Sequence, residues 1–308
     1  MLVPAQLHPL NTTNLIRNSY IRYLKTTYPF QGQHLRDQFW QALEQPELIV
    51  KGPLLEASPP FKTGRSIAQL VEDGVLHPTF RQLCGPALPW NRSLYLHQDQ
   101  AIAKAVQYNR NLVVATGTGS GKTETFLIPI LDALLRQRQA GQLGAGVRAL
   151  LLYPMNALAN DQLKRLRRIL ANFPDFTFGR YTGETKQSYR DAEKSFYEQF
   201  PGEPLLPNEL ICRDNMRDTP PHLLLTNYAM LEYLLLRPED NAFFDGEYAQ
   251  QWRFIALDEA HVYDGASGIE IAMLLRRLKD RVVNSEPGRL RCMATSATMG
   301  RGREDYPK

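Results

Sequence analysis

The sequence predicts an α/β fold: a mostly parallel sheet with helices on both faces, behind a mainly helical N-terminal extension. Three observations predict it. A glycine-rich turn, residues 116–123, joins an apolar strand-like run to a helix-like run. A second apolar run, Phe254–Leu257, ends in two adjacent carboxylates. Elsewhere short apolar runs alternate with longer amphipathic ones, the pattern of successive strand–helix–strand units.

Length and composition fit one large domain, or one domain with an extension. The chain has 308 residues, 43% of them hydrophobic and 22% charged, which is ordinary for a globular protein. Its net charge of +4 is compatible with nucleic-acid binding but does not argue for it alone. The three cysteines are far apart, which favours inert thiols in a reducing compartment. With no bilayer-length apolar run and no signal-peptide pattern, we expect a cytoplasmic protein and no membrane partner.

Residues 1–90 are expected to form an accessory extension. Apolar residues recur at helical spacing in two stretches, 14–24 and 35–43. Residues 51–64 are rich in Pro and Gly and are expected to lie extended, and Ser66 is a candidate cap for a short helix over 67–72. The aromatic and basic side chains of this extension can contact a nucleic-acid strand, but core packing is their commoner use.

The glycine-rich turn predicts a phosphate-binding loop. It follows a strand, Leu112–Ala115, and opens a helix predicted from Thr123 to about Leu135. Glycines let backbone N–H groups point at phosphate oxygens, and the helix N-terminus adds partial positive charge. Lys122 is expected to reach the β and γ phosphates, and the Thr123 hydroxyl to hold Mg²⁺. The residues expected to bind the nucleotide are Thr116, Gly117, Thr118, Gly119, Ser120, Gly121, Lys122, Thr123 and Glu124.

Gln98 is a candidate for selecting the base. It stands 24 residues before Lys122, near the start of a helix predicted to end at about Tyr108. An amide can pair with both the donor and the acceptor edge of adenine, so Gln98 would select ATP. Taken alone, a glutamine on a helix is usually a solvated side chain, but its spacing from the loop favours the nucleotide-binding interpretation.

The paired carboxylates are the second candidate centre. Asp258 is expected to organise Mg²⁺, directly or through water, and Glu259 to orient and deprotonate the attacking water. A last strand, Leu290–Ala294, leads into hydroxyl-bearing residues that, with His261, can sense the γ-phosphate. The predicted catalytic residues are Lys122, Asp258, Glu259 and His261, and the predicted coupling residues are Thr295, Ser296 and Thr298.

Three further predicted strands, over 147–153, 176–181 and 222–226, end in polar residues. Backbone N–H groups and hydroxyls at such turns commonly hold phosphates without reading bases. The candidate nucleic-acid contacts are Pro154, Asn156, Thr182, Gly183, Thr226 and Asn227. The helix that follows Pro154 carries four basic residues, and such a run of charges usually forms the solvent-exposed face of a helix. They are Lys164, Arg165, Arg167 and Arg168. Residues 184–220 are expected to hold one helix and an irregular loop, and residues 262–268 a loop before a helix over 269–278.

Over residues 95–300 these features resemble a superfamily 2 helicase of the DEAD/DEAH-box kind. The order is that of the family: Gln98, the phosphate loop, the Pro-containing run 153–162, the Thr-Gly and Thr-Asn pairs, Asp-Glu-Ala-His at 258–261 and Thr-Ser-Ala-Thr at 295–298. Met155-Asn156 departs from the Thr-Arg of many relatives. The resemblance implies a RecA-like P-loop NTPase three-layer sandwich, ATP and Mg²⁺ as cofactors, and DNA rather than RNA as the partner.

Three longer sequence segments, at 53–56, 153–162 and 263–265, are similar to segments of large bacterial helicases of repair and phage-defence systems. The family also implies a second RecA-like lobe, in the same or another chain, whose arginines complete the ATP site. We therefore expect an accessory extension (1–90), an ATP-binding first lobe (91–300) and the start of a linker to a missing second lobe (301–308). Alone, this chain should bind ATP weakly and hydrolyse little.

Three functions remain open from the sequence. The first is a helicase or translocase that couples ATP hydrolysis to movement on nucleic acid. The second is a duplex translocase or restriction-type motor that moves without unwinding. The third is a nucleotide-binding regulatory module that docks a partner. Lys122, Asp258 and Glu259 are all present, which favours a hydrolysing enzyme.

Overall fold

The computed structural model describes residues 8–45, 49 and 60–297. The chain divides into two compact units after Pro60. Several parts of the sequence-based expectations lie outside the described residues. They are the extended stretch 51–59, the helicase-like segment 53–56, Thr298 and the linker 301–308. None of the described helices has the length and apolar character needed to cross a bilayer.

The described part of the smaller unit forms two helices, as its helical spacing predicts. They are α1 (Pro9–Thr27) and α2 (Gln33–Glu44). Lys25 joins them: its ammonium lies 2.6 Å from Glu44 Oε1 and 5.0 Å from the centre of the Trp40 ring. Ile21 and Leu43 are buried in this hairpin.

The larger unit begins with a short capped helix. Strand β1 (Thr63–Ser66) leads into α3 (Ile67–Glu72), and β1 pairs antiparallel with β2 (Ser93–Tyr95). Ser66 accepts a hydrogen bond from the Gln69 amide at 3.2 Å, and the Gln69 side chain accepts one from Ser66 N at 2.9 Å. This reciprocal pair satisfies two free N–H groups of the first turn, and it confirms Ser66 as the cap.

Residues 61–90 pack into the core of the larger unit, where Leu70 and Phe80 are fully buried in one apolar cluster with side chains of the helices that follow. An accessory role for residues 1–90 stays a prediction.

Seven parallel strands form the main sheet, in the order β3-β9-β8-β4-β7-β5-β6. Their bounds are β3 Leu112–Ala115, β4 Ala149–Tyr153, β5 Phe178–Arg180, β6 Glu209–Leu210, β7 Leu223–Asn227, β8 Phe254–Leu257 and β9 Arg291–Ser296. The helices are α4 Leu96–Tyr108, α5 Glu124–Gln139, α6 Asn156–Leu170, α7 Tyr189–Gln199, α8 Arg213–Asp218, α9 Tyr228–Leu236, α10 Gly246–Ala249 and α11 Gly265–Val283. This arrangement confirms the α/β fold class.

The sheet has an apolar core on each face. Along β4, Leu151 faces a cluster that includes α4, α5 and α6, whereas Leu150 faces a second cluster formed with α9 and α11. Alternate residues of a strand point to opposite faces, and both faces are covered, so the strand is apolar throughout. The result is the three-layer sandwich that the resemblance implied.

Two local expectations are wrong. Helix α11 begins at Gly265, inside the predicted loop 262–268, because Asp264 is extended and ends the preceding turn. The predicted irregular loop within 184–220 contains β6 and α8. A two-residue strand is too short to show periodicity, and β6 is held by its pairing with β5.

Candidate functional site

The sheet order brings the tips of β3, β9 and β8 together at one edge. Thr116 N, just after β3, donates a hydrogen bond to Ser296 O at 3.1 Å. The Thr295 hydroxyl, also on β9, donates to Asp258 Oδ1 beyond β8. Two strand spacings amount to about 10 Å. The glycine-rich turn and the paired carboxylates therefore share one edge, bridged by the tip of β9.

In the glycine-rich turn, the side chain of Lys122 bonds to backbone carbonyls of the turn itself. Lys122 is 7% exposed, and its ammonium donates to the carbonyl oxygens of Thr116 at 3.2 Å and Gly117 at 3.3 Å. Gly119 and Gly121 have φ values of 74° and 67°, a region that strongly favours glycine. The two glycines turn the backbone back so that Lys122 faces the centre of the loop.

Gln98 holds the loop to the start of α4. The side chain is 2% exposed. Its oxygen accepts a hydrogen bond from Tyr95 N at 2.8 Å, and its nitrogen donates to Gly121 O at 2.8 Å. The solvated interpretation is therefore wrong. Selection of adenine by Gln98 stays a prediction.

An aromatic cluster lies beside the loop. The rings of Phe61, Tyr95 and His97 have centroids 5.2 to 5.7 Å apart, and Tyr95 stacks on His97. His97 Nε2 lies 3.0 Å from Ser120 O. Burial lowers the pKa of His97, which favours the neutral ring donating from Nε2. Sequence reasoning missed the cluster because Phe61 is distant in sequence, but Tyr95 and His97 flanking the helix start were a usable signal.

Glu259 has a strained backbone at the tip of β8. Its φ is 50°, uncommon for a residue with a side chain and frequent at functional sites. Its amide donates to Asp258 Oδ1 at 3.1 Å. Its Oε2 is buried, has no hydrogen-bond partner among the described residues and lies 3.3 Å from His261 Nδ1. Glu259 thus presents an uncommitted carboxylate oxygen beside Asp258.

His261 connects the tips of β8 and β9. Its Nδ1 accepts a hydrogen bond from Ala297 N at 3.3 Å. In that tautomer Nδ1 carries no proton, so the ring does not donate to Glu259. The structure thus groups Asp258, Glu259, His261 and Thr295, and β9 joins them to the loop that carries Lys122. The catalytic roles of these residues stay predictions.

Further along the same carboxyl edge of the sheet, a second polar stretch joins the tips of β4, β7 and β5, and we call it the second polar edge. The Asn227 amide donates to Asn156 Oδ1 at 2.7 Å, and the Asn156 amide donates to Glu184 Oε1 at 3.0 Å. Arg180 pairs with Glu184 at 3.1 Å. Sequence reasoning identified Asn156 and Asn227 but missed Arg180 and Glu184.

Two of the candidate nucleic-acid residues are buried within this edge. Thr226 donates its hydroxyl to Tyr181 O at 2.6 Å, and Thr182 N donates to Thr185 Oγ1 at 2.9 Å. Both threonines are fully buried, whereas Gly183 is exposed. The threonines therefore shape the edge, and the groups open to a ligand are those of Gly183 and the asparagines.

The four cations of α6 divide into two pairs. Lys164 and Arg168 are exposed, as expected for a solvated face. For the other two that interpretation is wrong. Arg165 lies 2.7 Å from Glu124 Oε1 on α5. Arg167 is buried, paired with Glu209 and stacked 4.7 Å from the centre of the Phe196 ring.

Comparisons with known proteins agree with this geometry. The family model described as DEAD/DEAH box helicase matches residues 95–306. Druantia protein DruE from Escherichia coli (strain UMEA 4076-1) is 31% identical over 94% of this chain and 20% of its own length. The ATP-dependent helicase hrq1 of Schizosaccharomyces pombe is 31% identical over 65% of this chain and 16% of its own length.

Among solved structures, the DUF1998 helicase MrfA bound to DNA matches with a TM-score of 0.56 at 25% identity. The match covers 79% of this chain and 29% of that one. The chain thus spans a fifth or less of the two curated relatives and under a third of this structure.

Proposed function

This chain belongs to the DEAD/DEAH box helicase family, and we propose on that basis that it is the ATP-binding lobe of a motor that couples ATP hydrolysis to movement on nucleic acid. One observation carries the proposal. The loop of Lys122 and the carboxylates of Asp258 and Glu259 share a sheet edge, and hydrogen bonds through β9 join them.

The phosphate loop would bind a triphosphate by exchanging the hydrogen-bond partners of Lys122. Lys122 now donates to two carbonyl oxygens of its own loop, and phosphate oxygens would replace them with stronger, charge-assisted partners. Backbone N–H groups at the start of α5 add donors for the same anion. The remaining predicted nucleotide contacts follow the loop from Thr116 to Glu124.

The residues present also fit Mg²⁺. This ion prefers hard oxygen ligands and keeps several waters, so one hydroxyl and one carboxylate suffice beside the phosphates. Thr123 and Asp258 provide them. Within 8–45, 49 and 60–297, no cluster of three or more His, Cys, Asp or Glu side chains is placed to hold a metal ion. When bound, Mg²⁺ would neutralise charge on the transferred phosphoryl group.

Glu259 would act as the general base. Its free Oε2 can accept a proton from a water aligned with the γ-phosphate. Thr295 fixes Asp258, Ser296 O holds Thr116 N, and His261 holds Ala297 N at the end of β9. A change in the phosphate loop would therefore reach the catalytic carboxylates through β9.

Nucleic acid would bind along the second polar edge. Asn156, Gly183 and Asn227 offer amide and backbone donors suited to phosphate oxygens, shaped by Pro154 and the buried Thr182 and Thr226. The MrfA structure is bound to DNA, which supports DNA over RNA. The proposal includes a second RecA-like lobe, an accessory role for 1–90 and a cytoplasmic location.

Glu259→Gln tests the assignment. We expect this variant to keep its ATP affinity within about threefold but to lose at least about a hundredfold in turnover, the usual contribution of a general base. Glu247, exposed on α10, gives the matched control Glu247→Gln, which should change neither. ATP binding and hydrolysis would be measured in a two-lobe protein that contains this chain, with and without single-stranded DNA.

A regulatory module that does not hydrolyse ATP would show no turnover for Glu259→Gln to remove. Paired strand-displacement and triplex-displacement assays on a two-lobe protein would separate unwinding from duplex translocation. Strong DNA-stimulated hydrolysis by residues 1–308 alone would contradict the need for a second lobe.

A further inference from the structure

Helix α1 of the smaller unit carries an exposed face, which we call the outer face. Lys25 lies on the side of α1 that meets α2, where its ammonium is 2.6 Å from Glu44 Oε1. Ile16, Tyr20 and Tyr23 follow one another at intervals of four and three residues, which places them together on the opposite side of the helix. They are 64%, 47% and 58% exposed. Exposed apolar side chains grouped in this way commonly mark an interaction surface.

Core packing does not account for the outer face. Within residues 8–45, the buried side chains are Ile21 and Leu43 alone. The indole ring of Trp40 is already engaged, because the ammonium of Lys25 lies 5.0 Å from its centre. The two tyrosines of the outer face instead contact each other and remain open to a ligand.

Tyr20 and Tyr23 form a pair of exposed aromatic surfaces. Their ring planes are inclined by only 19°, and the ring centroids lie 6.3 Å apart. Every nucleic-acid base has a π face, so stacking on such rings binds single strands with little regard to sequence. A tyrosine also has only two side-chain torsions, so little conformational entropy is lost when it binds.

The charge of α1 favours a polyanion over an apolar partner or a second copy of the chain. The helix contains Arg17, Arg22 and Lys25 but no Asp or Glu. At 3.6 residues per turn, the two arginines flank the outer face on its two sides. Arg22 is exposed, and Arg17 donates to the backbone carbonyl of Glu44 at 3.3 Å. Phosphates would complement these charges, whereas a second α1 would oppose them with like charges.

We propose that the outer face of α1 binds single-stranded nucleic acid, with bases stacked on Tyr20 and Tyr23 and phosphates held by Arg17 and Arg22. The inference rests on the proposed motor and gives it a second contact with the strand, in addition to the second polar edge. Stacking and phosphate pairing together are the usual means of binding single strands without reading their sequence. The aromatic and basic residues of the N-terminal extension thereby acquire a function.

The test measures how tightly the 308-residue chain binds a fluorescent thymidine oligonucleotide, by anisotropy over a series of salt concentrations. We expect the double variant Tyr20→Ala, Tyr23→Ala to bind at least about tenfold more weakly. Tyr20→Phe, Tyr23→Phe keeps both rings and should stay within about twofold of wild type. Arg22→Gln should reduce the slope of log affinity against log salt by about 0.7, the value for one phosphate contact of a single strand. The matched controls Tyr189→Ala and Arg190→Gln, at exposed sites on α7, should change neither quantity.

Ultraviolet crosslinking locates the contact independently of affinity. An oligonucleotide that carries iodouracil should crosslink to the tryptic peptide that contains Tyr20 or Tyr23. Crosslinks confined to other peptides would overturn the inference, as would wild-type affinity in the double alanine variant or an equal loss in the α7 controls.

Self-association is the rival use of the outer face. A wild-type dimer in sedimentation that the double alanine variant dissociates, with DNA affinity unchanged, would overturn the inference in its favour. Failure of the second polar edge would look different. In a two-lobe protein, unchanged DNA affinity in the double variant Asn156→Ala, Asn227→Ala would count against that edge and leave the role of α1 intact.

Discussion

His222 should make the folded state sensitive to acid. The side chain precedes β7 and is 4% exposed. Its Nδ1 accepts a hydrogen bond from Thr177 N at 2.9 Å, and its Nε2 lies 3.1 Å from Gly144 O, to which it can donate. Both positions suit the neutral ring, and a second proton on Nδ1 would face another N–H group. Burial, and then the nearby charge of Arg148, lowers the pKa of His222 from 6.5 to about 4.

The size and sign of the effect follow from linkage. The two pKa values of His222, 6.5 and about 4, differ by about 2.5, which corresponds to roughly 3 kcal/mol at about 1.4 kcal/mol per pKa unit. Below pH 6.5 His222 binds a proton in the unfolded chain, whereas in the folded chain it stays neutral down to about pH 4. The stability associated with His222 is therefore complete above about pH 6.5 and is lost progressively as the pH falls to about 4.

Urea unfolding between pH 7.5 and pH 4 measures this directly. Protonation of carboxylates also changes the free energy of unfolding in acid, so the informative quantity is the difference in that free energy between wild type and His222→Asn. The shorter amide of this variant keeps an acceptor near Thr177 N. We expect the variant to lose roughly 3 kcal/mol less than wild type over this range. His34→Gln, at an exposed site on α2, should behave as wild type. Parallel pH curves for wild type and His222→Asn would refute the reasoning.

Three further outcomes are expected. Gly121→Ala should abolish ATP binding and lower the free energy of unfolding by at least about 2 kcal/mol, because the new Cβ would lie 2.4 Å from Gln98 Nε2 and the backbone φ is strained for alanine. Gly119→Ala has the strained φ but no crowded Cβ, so in urea unfolding it should lose about half as much stability. Equal losses in the two variants would contradict the steric argument. Thr295→Val should lower turnover at least tenfold by freeing Asp258, and a steady-state ATPase assay showing unchanged turnover would remove Thr295 from the site. Arg167→Met should lower the unfolding free energy by about 3–5 kcal/mol, because it leaves a buried carboxylate unpaired; a loss below about 1 kcal/mol in urea would show that the pair is not needed.

The features predictable from the sequence are those that local pattern determines. The glycines before Lys122, the apolar run before Asp258 and the cap at Ser66 each require particular residues at fixed spacing. Parallel strands then place their tips at one edge of the sheet. The position of the Lys122 loop and of Asp258 at that edge could therefore be expected from these patterns, whereas a shared catalytic role stays a prediction.

Contacts between distant segments could not be predicted in this way. Glu124 and Arg165 are 41 residues apart, and Arg167 and Glu209 are 42 apart. Nothing in the spacing of α6 distinguishes its two ion-paired arginines from its two exposed cations. The side-chain bonds of Gln98 depend on how α4 meets the loop, which tertiary packing decides.

The polar edge formed by Asn156, Asn227, Glu184 and Arg180 has a consequence for ionic strength. Arg180, the arginine among these four residues, is paired with Glu184, so a strand gripped by these four would meet amide dipoles more than net charge. Few counterions would be released on binding, and the logarithm of affinity would fall only shallowly with the logarithm of salt concentration. Such a grip can be broken and remade at every step without a large electrostatic penalty, which suits travel along a polyanion.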